Sequence, residues 1–180
     1  MTDIGTPSTA SGRWWLWLVL SAAIVVADQA TKALVLLNLR PGEERAITDF
    51  FSLVLAFNSG AAFSFLGDAA GWQRYLFGVI AIGAACLIVW LLRRGGDRLY
   101  CLGLSLILGG AVGNLCDRIA LGKVVDFLSF HHYMPFRHPL INWLDPFPAF
   151  NIADSAITVG AALLILDGFR RRPDPSVAVK

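Results

Sequence analysis

The sequence predicts a mainly α membrane protein. Four transmembrane helices carry a small extracytoplasmic β-hairpin or sheet and an interfacial loop or helix, all in one domain. Three observations lead there. Of the 180 residues, 56% are hydrophobic and only 16% are charged, and the mean hydropathy is +0.62, a poor match to the polar surface of a water-soluble domain. Four apolar runs are each long enough to cross a bilayer as a helix, which takes about 20 residues. The basic residues Arg13, Arg93, Arg94, Arg98 and Arg170 to Arg172 fall at the ends of these runs that share one side of the membrane. The positive-inside bias makes that side the cytoplasm and places both termini there. A net charge of +2 with no continuous basic stripe argues against nucleic acid as a partner.

Residues 1–13 read as a polar cytoplasmic tail, too poor in apolar side chains to build a core. The first span, about 14–37, continues past the length of a signal peptide and carries Asp28 and Lys32. At about 1.5 Å rise per residue, Asp28 lies roughly 20 Å along the helix from Trp14, toward the far leaflet. The i, i+4 spacing of Asp28 and Lys32 predicts an acid–base clasp, structural in itself or supporting a site. Residues 39–71 are extracytoplasmic. Pro41-Gly42 marks a turn, Phe50–Phe57 has strand length, and Asn58-Ser59-Gly60 reads as a turn into Ala61–Phe65. The apolar face of such a hairpin must rest on lipid or on the helices, since two strands alone are scarcely stable in water. Asn58 either serves the turn or hydrogen-bonds an extended peptide laid beside the strand.

The second span covers about 72–92. A basic turn, Arg93-Arg94-Gly95-Gly96-Asp97-Arg98, leads into the third, about 99–116, where Gly109 and Gly113 allow close helix approach. Asn114, Asp117 and Arg118 share one helical face. Cys86, Cys101 and Cys116 form no CxxC pair and read as small core residues. Residues 119–149 make the second extracytoplasmic stretch. It opens with Lys123-Val124-Val125-Asp126-Phe127 and continues with aromatic residues suited to the headgroup zone. His131, His132 and His138 match no metal-binding helix pattern. The fourth span, about 152–169, is followed by Arg170 to Arg172 and Pro173 in a cytoplasmic tail, 170–180.

Chemistry gathers at Asp154, set in the opening turns of this last apolar helix. A charge at membrane depth costs about 2.5 kcal/mol or more on insertion scales, so such groups face a protein interior or a water-filled cavity and mark function. Asn151 and Ser155 lie within a turn of Asp154, and Asp126 follows the preceding span at a place that reaches the same membrane surface. Two aspartates at one site divide acid and base work, because one is pushed to hold a proton while the other stays ionised. That asymmetry suits hydrolysis of an amide by an activated water. Serine and zinc protease signatures (GxSxG, SxxK, HExxH) are missing. Proton relays use the same residues, so a small proton-coupled transporter or channel subunit is the rival reading. A relay wants carboxylates stacked through the bilayer, whereas Asp28, Asp126 and Asp154 cluster toward one face. A structural assembly factor would work equally well with asparagine at 126 and 154.

Five stretches carry a family resemblance: Asp28-Gln29-Ala30-Thr31-Lys32, Phe57-Asn58-Ser59-Gly60-Ala61-Ala62-Phe63, Gly113-Asn114-Leu115-Cys116-Asp117-Arg118, Val124-Val125-Asp126-Phe127 and Phe150-Asn151-Ile152-Ala153-Asp154-Ser155-Ala156. In order and membrane placement, from about residue 14 to 170, they resemble the motifs of the bacterial lipoprotein signal peptidase (signal peptidase II) family. The resemblance implies an aspartic endopeptidase of the inner membrane, its active site toward the periplasmic face. Such an enzyme removes signal peptides from prolipoproteins by cutting before a cysteine that bears diacylglycerol. It implies Asp126 and Asp154 as the catalytic pair, Asn58, Asn114, Arg118 and Asn151 as substrate-binding residues, and Asp28, Lys32 and Asp117 as structural support. No cofactor and no metal are implied. Prolipoproteins, membrane lipid and a globomycin-type inhibitor are the implied partners of a monomer. The chain departs from the family pattern in the length of the segment between the two aspartates, with 131–145 as extra, and in Cys116, where an aromatic is common.

Overall fold

A computed structural model describes residues 13–59, 72–130 and 148–170. All but Arg13 and Arg170 of the expected tails at 1–13 and 170–180, together with the partner strand at Ala61–Phe65, the three histidines and the long 131–145 segment, lie outside the described residues. Chain order is α1 (Trp15–Asn38), β1 (Glu44–Thr48), β2 (Phe51–Asn58), α2 (Gln73–Arg94), α3 (Arg98–Leu121), β3 (Val124–Phe130) and α4 (Ile152–Arg170). All four helices are long and apolar enough to cross a membrane. Their outward faces carry large apolar side chains, with Leu37 82%, Val79 69% and Val26 67% exposed. In water that surface would aggregate; against lipid it is the expected solvent-facing side.

The core lies around α3, which packs against the other three helices. Glycines make this possible. A methyl group on Gly109 would lie 2.8 Å from the Ser21 carbonyl oxygen of α1, and one on Gly160 of α4 would lie 2.6 Å from the Gly103 carbonyl oxygen of α3. Gly110 similarly backs onto the Ala153 carbonyl. Lipid tails are as apolar as leucine, so close backbone approach and interhelical hydrogen bonds do the joining. One such bond runs from the Ser21 hydroxyl to the Ser105 carbonyl at 2.9 Å. Of the three cysteines, Cys101 is buried, Cys116 half-buried and Cys86 exposed, so the reading of all three as core residues fails at Cys86, which faces outward from α2.

α3 continues five residues beyond Cys116, to Leu121, and stops where Gly122 takes φ +73°. Asn114, Asp117 and Arg118 therefore all project from helix. The Gly122 amide closes the end on the Arg118 carbonyl at 3.1 Å, and a left-handed residue of this kind suits glycine.

The strands form one antiparallel sheet in the order β1-β2-β3. The expected strand at Phe50–Phe57 is present as β2, but its described partners are β1, just before it, and β3, some seventy residues on. Val124–Phe130 shows no alternation of burial; it is covered on both faces, which hides a strand from period-two reading. Leu55, Val125 and Phe127 pack on Val35 and Leu39 at the end of α1, so the sheet rests on the helices as its apolar face required. Between β2 and β3 the pairing Leu53↔Leu128 is followed by Ala56↔Asp126, which leaves one extra residue on β2. Such a bulge bends a strand and re-aims nearby side chains, and this one adjoins Asp126.

Candidate active site

The described structure brings all nine residues singled out from the sequence to one end of the bundle. Each arrives by a local cause. Phe150 pairs with β3, its amide donating to the Leu128 carbonyl at 3.0 Å and its carbonyl accepting from Leu128 at 2.8 Å. This tie fixes where α4 begins relative to Asp126. Asn151 then caps α4: its side-chain oxygen accepts the Asp154 amide at 2.9 Å, and Asp154 returns a carboxylate oxygen to the Asn151 amide at 3.3 Å. It is a reciprocal capping box with asparagine and aspartate in the two roles. The polar run at the start of the fourth helix is thus first a helix start.

With its oxygen committed to the cap, the Asn151 amide nitrogen must face the other way. It donates to Asp126 at 2.7 Å, to the Val125 carbonyl at 3.2 Å and to the Asn114 side-chain oxygen at 3.1 Å. Asn114 is oriented by the same logic. Its oxygen faces the Lys32 ammonium at 3.0 Å, so its nitrogen donates to Asp154 at 2.7 Å. Asn58, opposite Val124 across the sheet, also hydrogen-bonds Asp126. Both carboxylates are therefore met by amide donors, and Asn151 touches both. Ser155 does not join them; its hydroxyl turns to the Asn151 carbonyl at 2.9 Å.

Beside this pair lies a fully ionic cluster. Lys32 donates to Asp28 and to Asp117, each at 2.8 Å, and these three residues are almost wholly buried. Together with the bond to Asn114, this uses all three ammonium donors. Asp28 does more than the i, i+4 clasp expected of it: its other oxygen accepts the Ala153 amide at 2.9 Å, capping α4 from α1. Asp117 likewise accepts the Val125 amide at 3.0 Å, pinning the strand one residue before Asp126. Gln29, quoted in a motif but given no role, donates to Asp117 at 2.8 Å and to the Gly113 carbonyl at 3.1 Å. Its position next to Asp28 on an apolar helix was the available signal. Arg118 donates to the Asn114 carbonyl at 3.3 Å, lies over the Phe77 ring at 5.3 Å, and is within electrostatic reach of Asp154, Asp126 and Asp117.

Electrostatics separates Asp126 from an ordinary surface carboxylate. Burial pushes it up to about 7 and the neighbouring Asp154 charge pushes the same way, while hydrogen bonds from Asn58 and Asn151 and the Lys32 charge oppose the rise. A buried acid poised near neutrality beside a second acid can hold or release a proton during a reaction.

Fold and site together define a multi-pass membrane protein with a buried acidic centre at one end of its helices. Residues 20–170 match the family model described as signal peptidase (SPase) II. A protein of Cupriavidus necator named lipoprotein signal peptidase is 52% identical over 157 residues, 87% of this chain and 84% of its own length. One of Burkholderia vietnamiensis with the same name is 51% identical over 163 residues, 90% and 92% of the two chains. A solved structure titled as a bacterial membrane enzyme superposes with a TM-score of 0.73 at 25% identity, covering 89% of this chain and 93% of that one. A second with a similar title gives a TM-score of 0.71 at 25% identity, over 88% and 95%. The chain belongs to the signal peptidase II family, a family of aspartic peptidases, and is an enzyme.

Proposed function

We propose that this chain removes signal peptides from diacylglyceryl-modified prolipoproteins, cutting before the lipidated cysteine, with Asp126 and Asp154 as the catalytic pair. The observation that carries the reading is Asn151, which donates to Asp126 from its side chain and to Asp154 from its backbone and so holds a buried and a half-buried acid at one place. Asp126, poised near 7, is the proton donor. Asp154, at the N-terminus of α4 with the Asn114 and Asn151 donors upon it, is the carboxylate, a form that a helix start favours.

In the reaction Asp154 takes a proton from water as the water oxygen attacks the scissile carbonyl carbon. Asp126 gives its proton to the carbonyl oxygen. As the tetrahedral intermediate collapses, the C–N bond breaks, the leaving amine takes the proton from Asp154, and the hydroxyl proton returns to Asp126. The products are the signal peptide, with a free carboxyl end, and the lipidated cysteine, with a free amine. Asn58, Asn114, Arg118 and Asn151 bind and orient the substrate backbone, and Asp28, Lys32 and Asp117 hold the frame. The diacylglyceryl group remains in the bilayer, so the peptide approaches laterally between helices. The basic end of the bundle faces the cytoplasm and the acidic centre the periplasmic side of the inner membrane, the protein works as a monomer, and a globomycin-type cyclic peptide blocks the aspartate pair.

Purified full-length protein in detergent, given a diacylglyceryl-modified prolipoprotein, releases the signal peptide on this reading, and Asp126→Asn or Asp154→Asn abolishes release while the protein stays folded. Cleavage retained by either variant overturns the pair. A proton-coupled transporter instead shows no cleavage with any variant.

A further inference from the structure

α2 supplies none of the nine residues at the acidic centre, yet it reaches one of them. Three of its residues, Arg74, Phe77 and Gly78, stand at i, i+3 and i+4 and so share one helical face. Each meets the C-terminal end of α3. The Phe77 ring lies against the Arg118 guanidinium, with 5.3 Å from ring centroid to Cζ. A methyl group on Gly78 would stand 3.8 Å from Leu115, one turn before Arg118, and one on Gly122, one turn after it, would stand 3.5 Å from the Arg74 guanidinium. Leu115, Arg118 and Gly122 therefore meet α2 along a single seam, with the contact between Phe77 and Arg118 at its middle. Phe77 lies outside the five motif stretches; only the packing of α2 on α3 brings it here.

Arg118 gains from such a contact. It is a long side chain that loses much rotamer freedom when held in one place. Within α3 it donates to the Asn114 carbonyl at 3.3 Å, which anchors one edge of the guanidinium. The ring adds a face for the flat guanidinium to lie on, and the negative face of an aromatic ring attracts a cation. Both side chains are half-buried, a setting in which that attraction is stronger than in open water. A point charge within reach of Asp154 and Asp126 would need no fixed plane, but a planar fork that grips a peptide carbonyl does.

We propose that Phe77 is a positioning residue for signal-peptide cleavage: its ring face holds the plane of the Arg118 guanidinium and so aims the donors of that side chain at the substrate backbone. The proposal rests on the reading of Arg118 as a substrate-binding residue. Phe77 acts through Arg118 and leaves the aspartates as they are, so its loss falls on KM and not on kcat.

The test is cleavage of a diacylglyceryl-modified prolipoprotein by purified full-length protein in detergent, comparing natural phenylalanine at position 77 with 3,4,5-trifluorophenylalanine at the same position. Fluorine withdraws charge from the ring face and nearly keeps its shape, so the fluorinated protein should fold as the natural one does and show a KM raised about twofold to threefold. Phe77→Leu, which removes the ring, should raise KM about threefold to tenfold with kcat little changed, and Arg118→Gln should cost at least as much. Equal KM for the natural and fluorinated rings, a comparison that leaves the packing in place, overturns the proposal. So does a loss in Phe77→Leu that falls on kcat alone. Cleavage by Arg118→Gln equal to that of the wild type overturns it together with the substrate-binding reading of Arg118. None of these outcomes touches the peptidase reading, which fails only if the wild-type protein does not cleave, and the proposal then fails with it.

Discussion

Two pairs of aspartates lie side by side in this protein and are treated oppositely. Asp28 and Asp117 share the Lys32 ammonium at 2.8 Å each. Asp126 and Asp154 receive amide donors instead, chiefly from Asn151 and Asn114. A buried ion pair fixes both charges and so suits architecture. A carboxylate held by amide donors can change its protonation state without breaking a buried ion pair. On the proposed mechanism the first pair stays as it is and the second exchanges protons.

Substitution at the second pair gives the largest effect. Asp126→Asn and Asp154→Asn should each lower prolipoprotein cleavage by about 10²-fold to 10⁴-fold or more, the contribution of general acid–base catalysis. The thermal midpoint of Asp126→Asn should nonetheless match or exceed that of the wild type at pH 8. The proton on Asp126 is held up to about 7 in the folded protein against an ordinary 3.8, so the folded state binds more protons between those values. Stability is therefore lost as pH rises toward 7, and asparagine escapes the loss. A large fall in midpoint would mean that Asp126 is architecture after all.

Lys32→Met sharpens the contrast from the other side. It strands two buried carboxylates and frees the Asn114 amide to turn, and should cost about 3–5 kcal/mol of stability, read as a lowered midpoint in detergent. Unchanged stability would show that the ionic cluster is not the frame. Gly160→Ala tests whether that frame extends along the bundle. Its methyl would lie 2.6 Å from the Gly103 carbonyl oxygen, and overpacking of this kind costs about 1–3 kcal/mol, visible in the midpoint with the pH profile of cleavage unmoved.

The smallest effect is the pH profile itself. With Asp126 as donor, single-turnover cleavage should fall as pH rises through about 7, by about tenfold per unit beyond it. A limb falling in the acid direction near 7 would exchange the two roles.

Local signals carried a large part of this. Four apolar runs give four helices because every backbone polar group in lipid must be satisfied within its own segment. Asp28 and Lys32 pair because four residues bring side chains onto one face of a helix. The motif order pointed to the family, and the comparisons place the chain there. Distant pairings were not legible. Nothing local says that β2 takes β3 as its neighbour, that Asp28 caps a helix beginning more than a hundred residues later, or that Gln29 reaches Asp117. Cys86 read as a core residue because composition reports that a helix is apolar, not which side meets lipid.

The sequence by itself therefore determined the spans, the polar residues that interrupt them and the family they mark, since each of these depends on the residues of one segment. The tertiary structure decided which carboxylate meets a lysine and which meets an amide. Those choices depend on the close approach of α1, α3 and α4 at their glycines and on the pairing of Phe150 with β3 that sets Asn151 beside Asp126, contacts between segments far apart in the chain.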